Sequence, residues 1–365
     1  MGSVYGRNIH LSIFGQSHSP AIGVVIDGLP SGFKPDMNAL LSFMKRRSPG
    51  RSYLSTQRSE SDLFEVLSGL SEGRLCGAPF AATIKNSDIR SDDYAGLKRT
   101  PRPGHADYPA QIKFGGTQDT AGGGHFSGRL TAALCLAGGL CIQLLACQGI
   151  QIAAHILRIG DIDDGCFDPL APDFTALQEG YLRVLNAQAG ESMAQVIDEA
   201  RLAGDSVGGV VECAAVHLPV GLGDPMFDGL ENRIAQAVFA IPAVKGLEFG
   251  SGFEAAGMLG SMHNDAYTVQ DGKVRTLSNH HGGILGGLST GMPLILRVAI
   301  KPTSSIFLPQ RTVDLKTLQP AQLTLKGRHD PCIVPRAVPC VEAALALALF
   351  DAYLDNKKEI SCATE

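Results

Sequence analysis

The sequence predicts an α+β fold built as a single unit, and three observations carry that prediction. Short β-branched runs and helical runs alternate irregularly, without the spacing of βαβ units. Two long uncharged or nearly uncharged apolar segments, 130–147 and 337–354, have the composition of helices enclosed by protein. No Pro-, Ser- or Gly-rich linker divides the chain, so one domain is expected over residues 1–357, followed by a polar tail at 358–365.

Each element follows from local chemistry. NIHLSIFG (8–15) and IGVVIDGLP (22–30) read as strands bounded by turn residues. Asp36 is placed to cap a helix over 37–47, which Ser48-Pro49-Gly50 stops. Residues 63–67 and 80–85 read as further strands. From 86 to 126 the chain is polar and punctuated by Gly and Pro, a long loop of the kind that carries function. The first apolar helix follows, then a stretch at 150–187 with no clear pattern, a helix near 189–203 and strands near 207–218. Asp228 and Glu231 form a capping-box pattern ahead of a helix to 241. Asp271-Gly272 predicts a hairpin turn. PLILRVAIKP (293–302) and LTLKG (323–327) read as strands, and the second apolar helix closes the fold. IGVVIDGLP and GGVVECAAVHLP share a faint similarity, a weak hint of two related halves.

Composition excludes some classes. Hydrophobic residues make up 44% and charged residues 18%, a globular balance. With a net charge of −5 and no basic arm, nucleic acid is not the expected partner, although a local arginine cluster could still take a small anion. The nine cysteines include no CxxC and no zinc spacing, so free buried thiols in a reducing compartment are expected. The N-terminus lacks a signal-peptide core, and the apolar segments lack the flanking anchors of a membrane span. A cytoplasmic location with no membrane contact is the expectation.

Four segments combine ionisable groups with rigid turns. FGQSHSPAIG places Ser17 and His18 on a turn of small residues after a strand. RPGHADYP places His105 straight after a Pro-Gly turn, with Arg102 before it and an aspartate two residues on. GGGHFSGRLT leads three glycines into the start of an apolar helix, where free backbone N–H groups favour anions. KGRHDPCIVPRAVP holds Arg328, His329, Asp330 and Arg336 between prolines. Taken singly, each could be an ordinary polar turn or connector. NHHGGILGG and KPTSSI are less specific. An arginine–histidine pair also occurs in histidine phosphatases, but those use RHG after the first strand, and here the run is RHDP near the C-terminus.

In order, GQSH, KRRSPG, STQR, RPGHADY, GGGHFSGR, NHHGGILGG, KPTSS and GRHDPC resemble the motifs of the chorismate synthase family. The resemblance runs from about residue 8 to 354, and RPGHADY and GRHDPC are highly specific to it. It implies a β-α-β sandwich, with apolar helices between antiparallel sheets, assembled as a homotetramer. It implies a lyase that converts 5-enolpyruvylshikimate 3-phosphate to chorismate and phosphate by a 1,4-anti elimination, the last step of the shikimate pathway and of the supply of aromatic amino acid precursors. Reduced FMN is required, with NADPH or an external reductase as electron source. No dinucleotide-binding fingerprint is visible, so an external source is expected. The resemblance assigns His105 to the departing phosphate, His18 to the flavin's protonation state and Asp330 to the proton lost from the substrate ring, by way of the flavin. Ser17 and Ser127 are proton relays. Arg47, Arg129 and Arg328 match substrate-contact positions, and Arg336 joins them by proximity. Flavin contacts carry over to His125, Phe126, Ser127, Pro242, Ala243, Gly286, Lys301, Pro302, Thr303, Ser304, Ser305 and Arg328. No metal site is expected.

The chain departs from the family pattern in places. Gln16 and Ser19 stand where GESHG is common, and a lost carboxylate beside His18 lowers that ring's basicity relative to the common form. His125 and Phe126 replace an arginine and a serine of GGGRSSARET. Ser48 replaces the last arginine of RRRPG, and Tyr53 replaces another arginine, for which Arg51 could substitute. An inactive homologue that only binds flavin or substrate is therefore the alternative expectation.

Overall fold

The protein is described here from a computed structural model, which describes residues 2–50, 52–56, 60–87, 96–325, 327 and 329–362. Arg51, Arg328 and residues 363–365 of the expected tail lie outside the described residues.

The first half of the chain builds an antiparallel sheet. Its strands are β1 (Val4–Tyr5), β2 (His10–Gly15), β3 (Ala21–Asp27), β4 (Phe64–Ser68) and, beyond a small hairpin of β5 (Leu70–Ser71) and β6 (Arg74–Leu75), β7 (Phe80–Lys85). The order is β1-β2-β3-β7-β4, with Ser12 opposite Val25 and Val24 opposite Ala82. Helix α1 (Met37–Arg47) lies between β3 and β4 in sequence, and Asp36 caps it by accepting from the Asn38 and Ala39 amides as predicted. The expected loop at 86–126 instead contains α2 (Asp107–Lys113), a helix too short to leave a periodic signature. Helix α3 (Thr131–Ala146) then enters the core.

The second half repeats the architecture. After α3 come β8 (Gln151–Ile159), β9 (Ile162–Asp163), α4 (Ala187–Leu202), β10 (Gly209–Val216), α5 (Leu230–Val238) and β11 (Val244–Phe249). A short α6 (Gly260–His263) precedes the hairpin β12 (Tyr267–Gln270) and β13 (Lys273–Thr276), whose turn has φ of 51° at Asp271 and 73° at Gly272, the left-handed pair that Asp-Gly favours. The hairpin β14 (Ile284–Leu285) and β15 (Leu288–Ser289), strand β16 (Leu294–Ile300), the hairpin β17 (Gln310–Asp314) and β18 (Gln319–Leu323), and α7 (Val334–Cys362) complete the chain. The second sheet is also antiparallel, in the order β11-β16-β10-β8-β9. The two faintly similar segments of the sequence are thus the central strands, β3 and β10, of the two sheets.

Helices α3 and α7 fill the space between the sheets, which is the sandwich the family resemblance implied. They run parallel: Cys135 meets Cys340, and Gly138 packs on Ala343. A β-carbon at Gly138 would lie 2.4 Å from that of Ala343, so the crossing admits only glycine there. Of the stretch 150–187, patternless in sequence, 151–159 form strand β8, and the remainder covers the outer face of the second sheet: Phe167 and Leu177 pack on Ala153, Ala214 and Ile295. That is why β10 is buried along most of its length rather than on alternate residues.

Three expectations are corrected. The strand expected at 323–327 ends at Leu323, because pairing with β17 sets its register. Asp228 does not cap α5; the helix starts at Leu230, whose amide is taken by the Gly287 carbonyl at 2.9 Å, so a tertiary hydrogen bond does the work of a cap. The last helix continues past Leu354 to Cys362, so residues 358–362 of the expected tail are helical.

Candidate active site

The turn 122–124 has φ of 59°, 88° and 54° at its three glycines, which no side chain adopts readily. Space demands glycine as well. A β-carbon at Gly122 would lie 2.5 Å from Ser17 Oγ and 2.7 Å from His18 Nε2. One at Gly123 would lie 3.3 Å from His105 Nε2 and 3.7 Å from Ser127 Cβ. The Ser17 amide donates to the Gly124 carbonyl at 3.0 Å, tying the turn after β2 to the glycine turn. Four residues picked out from three separate motifs thus meet on one glycine scaffold. Ser17 Oγ is buried without a hydrogen-bond partner among the described residues.

His105 is oriented from behind. Its Nδ1 lies 2.6 Å from Asp107 Oδ1, so the ring donates there and Nε2 is the edge turned to Gly123. Arg102 binds the same carboxylate through Nε at 2.7 Å and Nη2 at 2.8 Å, and reaches Ser305 Oγ at 3.1 Å through Nη1. Burial alone would raise the Asp107 pKa, but hydrogen bonds from Arg102 and His105 outweigh it and hold the carboxyl well below the usual range. The arginine of RPGHADY therefore anchors the aspartate rather than facing solvent. Neither Arg102 nor Asp107 stood among the predicted site residues, although the i, i+3, i+5 spacing around His105 carried the signal.

A second layer holds the arginines. Arg47 Nη2 and Nε contact Asp62 Oδ2 at 2.6 and 2.9 Å, and Arg129 Nη1 contacts Asp62 Oδ1. Arg129 also binds Asn86 Oδ1 at 2.8 Å and the Lys85 carbonyl at 3.1 Å. Arg47, Arg129 and Asp62 are all buried, and Asp62 adopts a left-handed φ of 50°. Burial works to raise the Asp62 pKa, but the two guanidinium cations lower it below the ordinary carboxylate range. Arg336 Nε donates to the Arg47 carbonyl at 3.0 Å while its Nη1 pairs with Asp330. Asp330 also accepts from the Thr56 amide at 2.8 Å, and its carbonyl accepts from Thr303 Oγ1 at 3.0 Å. The N-termini of α3 and α7, at Thr131 and Val334, point toward this layer and add positive potential. Sequence reasoning missed Asp62, which lies in a segment with no motif.

The predicted cofactor residues divide into groups. Ser304 and Ser305 pack beside the Pro-Gly turn: Ser304 Cβ is 3.6 Å from the place of a β-carbon at Gly104, and Ser305 binds Arg102. A shallow cleft adjoins them, lined by Ser305, His329 and Asp330 among others. Lys301, whose pKa is lowered by burial and by Lys245, donates its amide to the Ala243 carbonyl, which brings Ala243 and Pro242 to the same edge. His125 turns elsewhere, with Nδ1 2.8 Å from the Gly15 carbonyl and Nε2 2.7 Å from Ser3 Oγ. Phe126 is two-fifths exposed. Gly286 is not brought to the cluster; it tops the β14–β15 hairpin beside the start of α5.

A sequence model of the chorismate synthase family matches residues 9–354. Chorismate synthases of Lancefieldella parvula, Korarchaeum cryptofilum and Thermococcus kodakarensis are 48%, 47% and 45% identical, each over 96% of this chain and 96%, 97% and 98% of their own lengths. A crystal structure of a chorismate synthase superposes with a TM-score of 0.72 at 27% identity, covering 96% of this chain and 93% of that one.

Proposed function

This chain belongs to the chorismate synthase family, whose enzymes eliminate phosphate from 5-enolpyruvylshikimate 3-phosphate with reduced FMN, and from that premise we propose how its own residues share the reaction. The convergence of Ser17, His18, His105 and Ser127 on the glycine turn carries this reading. The residues fit a flavin: the glycine turn lets Ser17, His18 and His105 approach bare backbone where a β-carbon would crowd them, and the buried Ser17 hydroxyl is a polar atom without a partner among the described residues. Ser127, Pro242, Ala243, Lys301, Pro302, Thr303, Ser304 and Ser305, with His125, Phe126, Gly286 and Arg328, are the proposed holders. Reduced FMN, when bound, supplies transient electron density that helps the C–O bond to break.

His105 delivers a proton from Nε2 to the departing phosphate, while Asp107 accepts from Nδ1–H in either charge state. His18 sets the protonation of the group held at the glycine turn, and Ser17 and Ser127 relay protons. Arg47, Arg129, Arg328 and Arg336 supply the positive field for one phosphate and two carboxylates, joined by the starts of α3 and α7. A substrate carboxylate that engages Arg336 competes with Asp330, and so releases a carboxylate oxygen to take the ring proton. The working particle is a homotetramer in the cytoplasm, fed by an external flavin reductant or NADPH.

The test is an anaerobic assay of the full chain with 5-enolpyruvylshikimate 3-phosphate and FMN reduced by dithionite. Equal release of chorismate and phosphate, absent with oxidised flavin, is expected. Phosphate without chorismate would make the protein a phosphatase. Flavin binding without turnover would make it a binding homologue.

A further inference from the structure

Two thiols meet beneath the arginine layer. Cys135 Sγ of α3 donates to Cys340 Sγ of α7 at 3.7 Å. They stand one turn before the Gly138–Ala343 crossing, the place where the helix backbones approach without room for a β-carbon. Cys340 Sγ also lies 3.3 Å from the carbonyl of Arg336, four residues earlier. Thr131, four residues before Cys135, accepts from Arg47 Nη1 at 3.3 Å. Each cysteine therefore hangs one helical turn below a residue that holds the Arg47–Arg336 pair.

We propose that Cys135 and Cys340 are a redox-modification site, closed to a disulfide by hydrogen peroxide and reopened by a dithiol, whose closure disengages the arginine layer and stops turnover. The reaction balances as two thiols and one peroxide giving one disulfide and two waters. The Cys340 thiolate attacks one peroxide oxygen, the O–O bond breaks and one water leaves, giving a sulfenic acid. The Cys135 thiolate then attacks that sulfur, the S–O bond breaks and the second water leaves. Each sulfur has given up one electron.

The order of the two steps follows from the surroundings. A hydrogen bond from Cys135 pulls the Cys340 thiol below its ordinary value against the opposing effect of burial, and the Arg47 cation adds to the pull. Burial pushes Cys135 well above its ordinary value. Cys340 is thus the attacking sulfur and Cys135 the resolving one. Both are buried, at 0% and 2% exposure, so a water-sized oxidant enters through local opening and the reaction is slow. Closure brings the sulfurs from 3.7 Å to about 2 Å, and a crossing with no spare volume passes that shift to Arg336 and Thr131 on the neighbouring turns.

The experiment treats the reduced full chain with hydrogen peroxide, blocks remaining thiols with N-ethylmaleimide and maps unreduced peptides by mass. A Cys135–Cys340 peptide pair lighter by two hydrogens is expected, appearing in step with at least a tenfold loss of chorismate formation measured with photoreduced flavin. Dithiothreitol should reverse both. The exposed Cys76, Cys147 and Cys166 serve as internal controls for peroxide reach. Cys135→Ala should keep its activity through the same treatment. Oxidation confined to the exposed cysteines overturns the proposal, as does a linked pair in an enzyme that stays fully active. If Cys135→Ala fails to fold, the wild-type peptide map and its reversal decide.

Discussion

At the scale of single residues, orientation of His105 is the feature on which most depends. Asp107 accepts from Nδ1 at 2.6 Å, and Arg102 neutralises that carboxylate, so the ring is held in one tautomer with Nε2 toward the glycine turn. Asp107→Asn can present an amide donor to Nδ1 and reverse the tautomer. We expect kcat to fall about 10²-fold, within the range for a positioned proton donor, with KM for the substrate little changed. An altered pH profile of kcat with native circular dichroism would separate positioning from folding; an unchanged profile would assign Asp107 to structure alone. Gly122→Ala tests the scaffold itself. Its β-carbon collides with Ser17 Oγ and His18 Nε2, so flavin affinity and activity should fall together, whereas Gly123→Ala, with 3.3 Å to His105, should weaken activity less. His18 and His105 were singled out in sequence because each sits in a turn, but either turn alone could be an ordinary polar one, and only the family resemblance gave them proposed roles. Asp107 stood in view two residues from His105 without being given a role, and Asp62 was hidden because its partners come from α1 and the start of α3, distant in sequence.

At the scale of elements, the end of α1 and the turn ahead of α3 meet at Asp62, and α3 and α7 meet at the Gly138–Ala343 crossing. Asp62→Ala leaves Arg47 buried without its counter-ion and Arg129 with only Glu60, 3.6 Å away. Loss of one partner from a buried pair costs about 3–5 kcal/mol, and urea unfolding should show a loss of that size. Gly138→Ala has two opposed effects. Helix propensity favours alanine by about 1 kcal/mol, but overpacking costs about 1–3 kcal/mol. A 2.4 Å approach to Ala343 Cβ puts this case at the costly end, so net destabilisation is expected by the same measurement; a more stable variant would mean the helices can separate freely. Most elements were legible because their periodicity or turn chemistry is local: the Asp36 cap, the Asp271-Gly272 hairpin and the first apolar helix stand where the sequence placed them, and the second covers its expected span before running on to Cys362. The misses share a cause. The start of α5 and the end of β18 are decided by partners elsewhere in the chain, the Gly287 carbonyl and strand β17, and no local pattern encodes a partner.

At the scale of the whole molecule, the two apolar helices are core elements: 83% and 89% of their most apolar windows are buried within the protein. Among the described residues, exposed apolar side chains are frequent in one segment of the second half. Phe253 is 85% exposed, and Leu259, Met262, Tyr267, Val269, Val274 and Leu277 are each at least three-fifths exposed. All lie between the end of β11 and the residue that follows β13, a concentration that single scattered surface residues do not produce. Two-stranded hairpins are marginal alone, so a partner surface is what would hold β12 and β13 in place. Subunit contact through this hairpin accounts for both facts and fits the proposed tetramer. The pair Val269–Val274 is directly opposed in the hairpin register, so Val269→Lys with Val274→Glu keeps a favourable cross-strand pair while removing apolar surface. Light scattering after size exclusion should then report a particle smaller than the wild type, with helical circular dichroism unchanged. Because Gly286 stands apart from the glycine turn in one chain, the same variant should also bind FMN more weakly if neighbouring subunits complete the flavin site. A variant of wild-type size would move the subunit interface away from this hairpin and leave its apolar face to some other partner.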